Sequence, residues 1–169
     1  LTSPLNKLLD VGGHLGGPIK KDKLWFYVGT QYYRSQNYVT GFTEPVDYKQ
    51  PRLFTKITSQ LTPSLNLNVS LEIDTYVGIN RGAGSTVALD AVVDQKSPEI
   101  VGNFSLTKIL SPKTFFDLKG AFFTGYYYLD PEVGMDPYMH FSYDENFQYY
   151  SSGYFFYADR TRYQVNGSL

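Results

Sequence analysis

The sequence predicts an all-β fold, an antiparallel up-and-down meander of about seven strands. Three observations predict it. Residues Leu65 to Asp74 alternate apolar and polar without a break, the period of a strand with one greasy and one wet face. Comparable aromatic or β-branched runs recur along the chain. The segments between these runs alternate in length: Lys20–Lys23, Thr62–Ser64 and Ser111–Lys113 are short, whereas Ser35–Gln50, Gly78–Lys96 and Leu129–Arg160 are long.

In chain order, Leu1 to Asp10 is too mixed to read, and Val11 to Ile19 is a Gly-rich strand or close-packed extended segment. Leu24 to Arg34 is an aromatic-rich strand with Leu24, Phe26, Val28, Thr30 and Tyr32 on one face. The next runs from Arg52 to Leu61, with Leu53, Thr55, Ile57 and Leu61 on one face. The alternating stretch is a strand from Leu65 to Val77. Further strands are expected over Glu99–Leu110, Thr114–Tyr128 and from Thr161 onward.

The greasy faces have two possible destinations, a soluble sandwich core or lipid around a barrel. A meander with alternating connections puts all short turns at one end and all long loops at the other, the asymmetry of outer-membrane barrels. The runs also exceed the five or six residues usual in soluble strands and reach the nine to eleven that cross a bilayer. The transmembrane barrel, with periplasmic turns and extracellular loops, is therefore favoured over a soluble β-sandwich. It predicts lipid-facing Leu65, Leu67, Val69, Leu71, Ile73, Phe116, Leu118 and Phe122. It predicts lumen-facing Lys56, Asn66, Asn68, Glu72, Asp74, Asp117 and Lys119.

Composition agrees. Tyr, Phe and Trp make up 17% of the 169 residues, 16 of them Tyr, a side chain suited to a membrane interface. Net charge is −1, without the basic excess of a nucleic-acid-binding domain. With no cysteine, disulfides, thiolate metal sites and Cys nucleophiles are excluded. No apolar run is long enough for a transmembrane helix. The chain opens at Leu1 without an initiator Met or a leader, so it is expected to be a piece of a longer protein.

The run Gly16-Gly17-Pro18-Ile19-Lys20-Lys21-Asp22-Lys23-Leu24-Trp25-Phe26-Tyr27 resembles the first barrel hairpin of TonB-dependent outer-membrane receptors. The likeness is greatest to the Oar-like group that carries a carboxypeptidase-regulatory-like domain. The turns Leu61–Leu65 and Leu110–Thr114 are similar to that family's periplasmic turns. The resemblance implies that residues 1–169 are the first part of a barrel of about 22 strands, with plug and remaining strands lying outside the chain. It also implies partners: outer-membrane lipid, the TonB complex through the plug, and a nutrient captured outside.

No enzyme chemistry is expected. Glu72 and Asp74 project from one face about 7 Å apart, and a lumen-facing pair is preferred over an acid–base pair. His14 and His140 are the 2 histidines, too separated for a triad or a metal site. Gly12-Gly13-His14-Leu15-Gly16-Gly17 lacks the Lys-Ser/Thr of a phosphate-binding loop. No catalytic residue, metal or cofactor is therefore expected. Ligand contact is expected on the long segment Leu129–Arg160, at Tyr138, Phe141, Tyr143, Asp144 and Glu145, for a siderophore, glycan or peptide.

Overall fold

The computed structural model describes residues 5–131, 143–144, 149–150 and 154–169. Its strands are β1 Leu5–Lys20, β2 Leu24–Tyr38, β3 Pro45–Thr62, β4 Leu65–Arg81, β5 Val93–Ser111, β6 Thr114–Pro131 and, after a two-strand ribbon of β7 Tyr143–Asp144 and β8 Tyr149–Tyr150, β9 Phe156–Ser168. The large sheet has seven strands in the order β1-β2-β3-β4-β5-β6-β9, and every neighbouring pair is antiparallel. It is an open meander with β1 and β9 as its edges. The helical content of the described residues is one short 3-10 turn, Leu89–Ala91.

The short connections are tight because their residues close them locally. Asp22 adopts a left-handed φ of 59°, and the Lys23 N–H donates to the Lys20 carbonyl at 3.1 Å. The two Pro-containing turns share one device. The hydroxyl before the proline accepts the N–H two residues on, Ser64 to Thr62 Oγ1 and Lys113 to Ser111 Oγ, each at 3.3 Å. That is the side-chain mimicry of a backbone turn that Ser and Thr supply.

Several strands run further than their patterning indicates. β1 begins at Leu5, β3 at Pro45, β5 at Val93 and β9 at Phe156, while β6 reaches Pro131. The first two long connections shrink accordingly to residues 39–44 and 82–92, and the expected third falls largely outside the described residues. At this end charged residues stand on the apolar side and tyrosines on the polar side, so alternation fades while the hydrogen-bond ladder continues. Cross-strand pairs such as Arg34–Asp47 take over from hydrophobicity. The first two long loops also meet. Gly41 has φ +80°, and a Cβ there would lie 2.6 Å from Ser85 Cβ, so only glycine fits.

Register sorts side chains into two faces, because directly paired residues of antiparallel strands share a face. One row reads Phe26, Ile57, Val69, Phe104, Gly120, Val165, and the next Val28, Thr55, Leu71, Gly102, Phe122, Tyr163. On the opposite face the row Tyr27, Lys56, Ser70, Asn103, Ala121, Gln164 alternates with Trp25, Thr58, Asn68, Ser105, Lys119, Asn166.

The apolar face has no covering layer among the described residues. Val69, Phe104 and Phe122 stay 42%, 39% and 38% exposed. The buried hydrophobic side chains are Val46, Ala91, Val92, Val93 and Leu129. They gather at the long-loop end, where the 3-10 turn folds against the strand ends. The core therefore braces the loops and leaves the middle of the sheet bare.

Candidate functional site

Three constellations stand out, one on each face and one at the long-loop end. On the polar face a hydrogen-bonded chain crosses four strands. Gln31 Nε2 donates to Asp10 Oδ1 at 2.7 Å. Arg52 Nη1 donates to Gln31 Oε1 at 3.3 Å, and its Nε to Asp74 Oδ2 at 2.9 Å. Gln50 Nε2 completes the chain by donating to the same carboxylate at 2.9 and 3.0 Å. β1 to β4 are thus tied by side chains as well as by backbone. Further along this face Thr58 donates to Asn68 at 2.9 Å and Thr107 to Asp117 at 2.5 Å. Lys119 lies 4.0 Å from Asp117.

At the long-loop end of the same face, Arg81 Nη1 donates to Gln95 Oε1 and to the Tyr127 hydroxyl. Gln95 in turn donates to Ser97 Oγ at 2.9 Å. The Tyr48 and Tyr76 rings lie 5.7 Å apart beside this cluster. Asn80, at φ 57°, sits where the β4–β5 register shifts. Its amide donates to the Pro45 carbonyl at 3.0 Å and its N–H to Asp94 at 3.1 Å, which pins β4 to both neighbours.

On the apolar face of β2 to β6 charge is confined to the two ends, and on β9 Asp159, opposite Tyr126, stands one row inside the long-loop end. At the long-loop end one cross-strand row reads Leu9, Arg34, Lys49, Val77, Lys96, Tyr128, Tyr157. Arg34 holds Asp47 with two hydrogen bonds of 3.0 and 2.7 Å, and Lys49 lies 3.5 Å from the same carboxylate. Burial pushes the Asp47 carboxyl up. The Arg34 hydrogen bonds and the nearby Lys49 and Arg34 charges outweigh burial and hold it below the usual carboxylate range. At the turn end Lys108 donates to Ser64 Oγ at 2.9 Å. Between Lys96 and Lys108 the same-face positions of β5 are Pro98, Ile100, Gly102, Phe104 and Leu106. The matching stretches of β2, β3, β4 and β6 also lack charge.

The expected face residues fall into two sets. Leu65, Leu67, Val69, Leu71, Ile73, Phe116, Leu118 and Phe122 share one face. Lys56, Asn66, Asn68, Glu72, Asp74, Asp117 and Lys119 share the other. Of the expected ligand residues, Tyr138, Phe141 and Glu145 lie outside the described residues. Tyr143 and Asp144 are described only as backbone paired with Tyr150 and Tyr149. Among the described residues no cluster of three or more His, Asp or Glu side chains is placed to hold a metal ion.

Sequence reading missed Arg34–Asp47, Arg52–Asp74 and the Arg81 cluster. Arg34 ends the run read as strand, and Asp47 falls in the stretch Ser35–Gln50 read as loop. Arg52 opens the strand expected over Arg52–Leu61, but its pairing to Asp74 requires the register.

The fold and its two faces define a class, the all-β antiparallel meander with one polar and one apolar surface. Comparison with protein-family models, with curated proteins and with solved structures gives no match.

Proposed function

We propose that this chain is a segment of an outer-membrane β-barrel receptor of the TonB-dependent kind. It would bind a nutrient at its long loops and import it. One observation carries the membrane part, the charge-free band between Lys96 and Lys108. They stand twelve positions apart on β5, about 40 Å of strand, and a tilt of about 45° reduces that to about 28 Å along the bilayer normal. That matches the apolar band of about 25 Å on barrels and the hydrocarbon core of about 30 Å. The apolar face then meets lipid, the polar face lines a wet interior, and the open edges continue into further strands. A soluble sandwich would need a second sheet over the band, and the described residues supply none.

The receptor part rests on the loop asymmetry and on the Gly16–Tyr27 run. Capture falls to loop 132–155, with its Tyr138, Phe141, Tyr143, Asp144 and Glu145, for a siderophore, glycan or peptide. Import would draw on the TonB complex through a plug.

Topology is testable by labelling intact cells with a membrane-impermeant maleimide, since this chain has no cysteine of its own. Gly84→Cys on the second long loop should label. Pro112→Cys on a short turn should label only after the outer membrane is permeabilised. Equal labelling of both sites in intact cells refutes the orientation. Import is tested by growth on iron chelates, glycans or peptides with the gene deleted, and separately with TonB deleted. Growth unaffected by either deletion on every substrate rules out the receptor reading.

A further inference from the structure

One set of tyrosines stands where a membrane does not need it. Tyr32, Tyr128 and Tyr157 are on the apolar face near its long-loop border, where a barrel carries its aromatic girdle. Tyr33, Tyr48, Tyr76 and Tyr127 are on the polar face at the same end, and a girdle does not account for them. Their hydroxyls differ as well. Tyr128 and Tyr157 donate to Asp159 and Asp130, and Tyr127 accepts from Arg81. The hydroxyls of Tyr33, Tyr48 and Tyr76 have no hydrogen-bond partner among the described residues, although all three residues are half-buried. A tyrosine held in a packed environment ordinarily has one.

The rings form a shelf. Tyr48 and Tyr76 lie 5.7 Å apart and lean over Gly78, where a Cβ would come within 3.3 Å of the first ring and 3.4 Å of the second. Beside them the Arg81 guanidinium lies 5.6 Å from the Tyr127 ring centre. Hydrogen-bonding side chains border the shelf away from the loops. Gln50 and Arg52 of β3 hold Asp74 of β4, and Glu99 of β5 stands opposite Asp74. Glu99 is exposed and has no ion-pair partner among the described residues. On the polar face of the sheet, within one row of Tyr48 and Tyr76, charge is balanced: Asp10, Asp74 and Glu99 face Arg52, Arg81 and Arg160.

This combination favours one kind of ligand. A charge-balanced site gives no advantage to an anionic chelate or a cationic peptide. Aromatic faces are negative and attract the weakly positive C–H face of a sugar ring. The sugar hydroxyls need donors and acceptors side by side, which Arg52, Glu99 and the free tyrosine hydroxyls offer. We propose that Tyr48 and Tyr76 stack a neutral glycan on the polar face at the long-loop end, with Arg52 and Glu99 bonding its hydroxyls. The inference rests on the receptor reading above and chooses among its three nutrient classes.

The test uses the full-length protein purified in detergent. Maltohexaose, cellohexaose, xylohexaose and mannohexaose are titrated by isothermal calorimetry, and at least one should bind. Tyr48→Ala and Tyr76→Ala should each weaken that binding about tenfold. Tyr76→Phe keeps the ring and should lose less than Tyr76→Ala. Tyr32→Ala, on the apolar face, should leave affinity unchanged. Melting is recorded for every variant, and Tyr48→Leu and Tyr76→Leu, which keep bulk without the ring, replace an alanine variant that does not fold. Binding of none of the four sugars overturns the proposal, as does binding indifferent to loss of both rings. A ferric chelate or a peptide held through Tyr48 and Tyr76 in place of sugar also overturns it. Growth is scored separately. Sugar binding through these rings with growth independent of the gene defeats the receptor reading and leaves the subsite. Gene-dependent growth on a nutrient without sugar binding defeats only the subsite.

Discussion

The Phe104 ring lies over Gly120, its direct partner across the β5–β6 ladder, so closely that a Cβ on Gly120 would run into the ring. Phe122 does the same over Gly102 one row away, and the two contacts interlock. An aromatic ring resting on a cross-strand glycine covers backbone that would otherwise be bare. Gly120→Ala should therefore push Phe104 off its seat and cost about 1–3 kcal/mol. Gly17→Ala, where a Cβ meets nothing within 4 Å, should shift stability by less than about 0.5 kcal/mol. Heat or denaturant unfolding of the full barrel in detergent checks both. Equal effects would show that the ring contact does not hold β5 to β6.

The two faces of β4 should respond differently to charge. Val69→Arg adds a cation to the middle of the charge-free band and should cost about 2–4 kcal/mol at the bilayer midplane. Asn68→Arg, one residue away on the polar face, should be much milder. Urea unfolding of the barrel folded into vesicles measures the difference, and equal costs would refute the lipid and lumen assignment.

The polar-face chain predicts coupling between Arg52 and Asp74. Arg52 is 41% exposed at its side chain and Asp74 21%, so solvent screens the pair. A double-mutant cycle with Arg52→Ala and Asp74→Ala should give an interaction of about 0.5–1 kcal/mol. A coupling of zero would mean that the observed geometry contributes nothing to stability.

Asp47 predicts an acid-sensitive loop end. Its folded carboxyl is held below the ordinary aspartate range. The stabilisation is therefore fully present above the ordinary, unfolded aspartate range and is lost as pH falls through the lowered, folded one. Melting followed by a probe on loop 39–44 should stay constant from neutral pH down to about pH 4 and drop below it. Asp47→Asn should flatten this component and cost about 1–2 kcal/mol at neutral pH. An unchanged acid profile in Asp47→Asn would assign the drop to other groups.

The all-β class, the seven-strand meander and the face of each central residue were legible in the sequence, because strand alternation is a local, period-two property of the chain. The short turns were legible as well, since Thr62-Pro63-Ser64 and Ser111-Pro112-Lys113 carry their own closing hydroxyls. Strand ends were not legible. Where charged residues stand on the apolar side, as at Arg34 and Asp47, the ladder and ion pairs hold the strands and leave no period to read.

Register was decided only by the tertiary structure, since one residue of slip would reassign every partner without altering the pattern of any single strand. Register brings Lys49 and Lys96 into one row through Val77, seats Phe104 on Gly120, and aligns Arg52 with Asp74. The alternation of Leu65 to Asp74 determined that β4 has a greasy side. Only the pairing of its neighbours decided that this side is part of one charge-free band, bordered by Lys96 and Lys108.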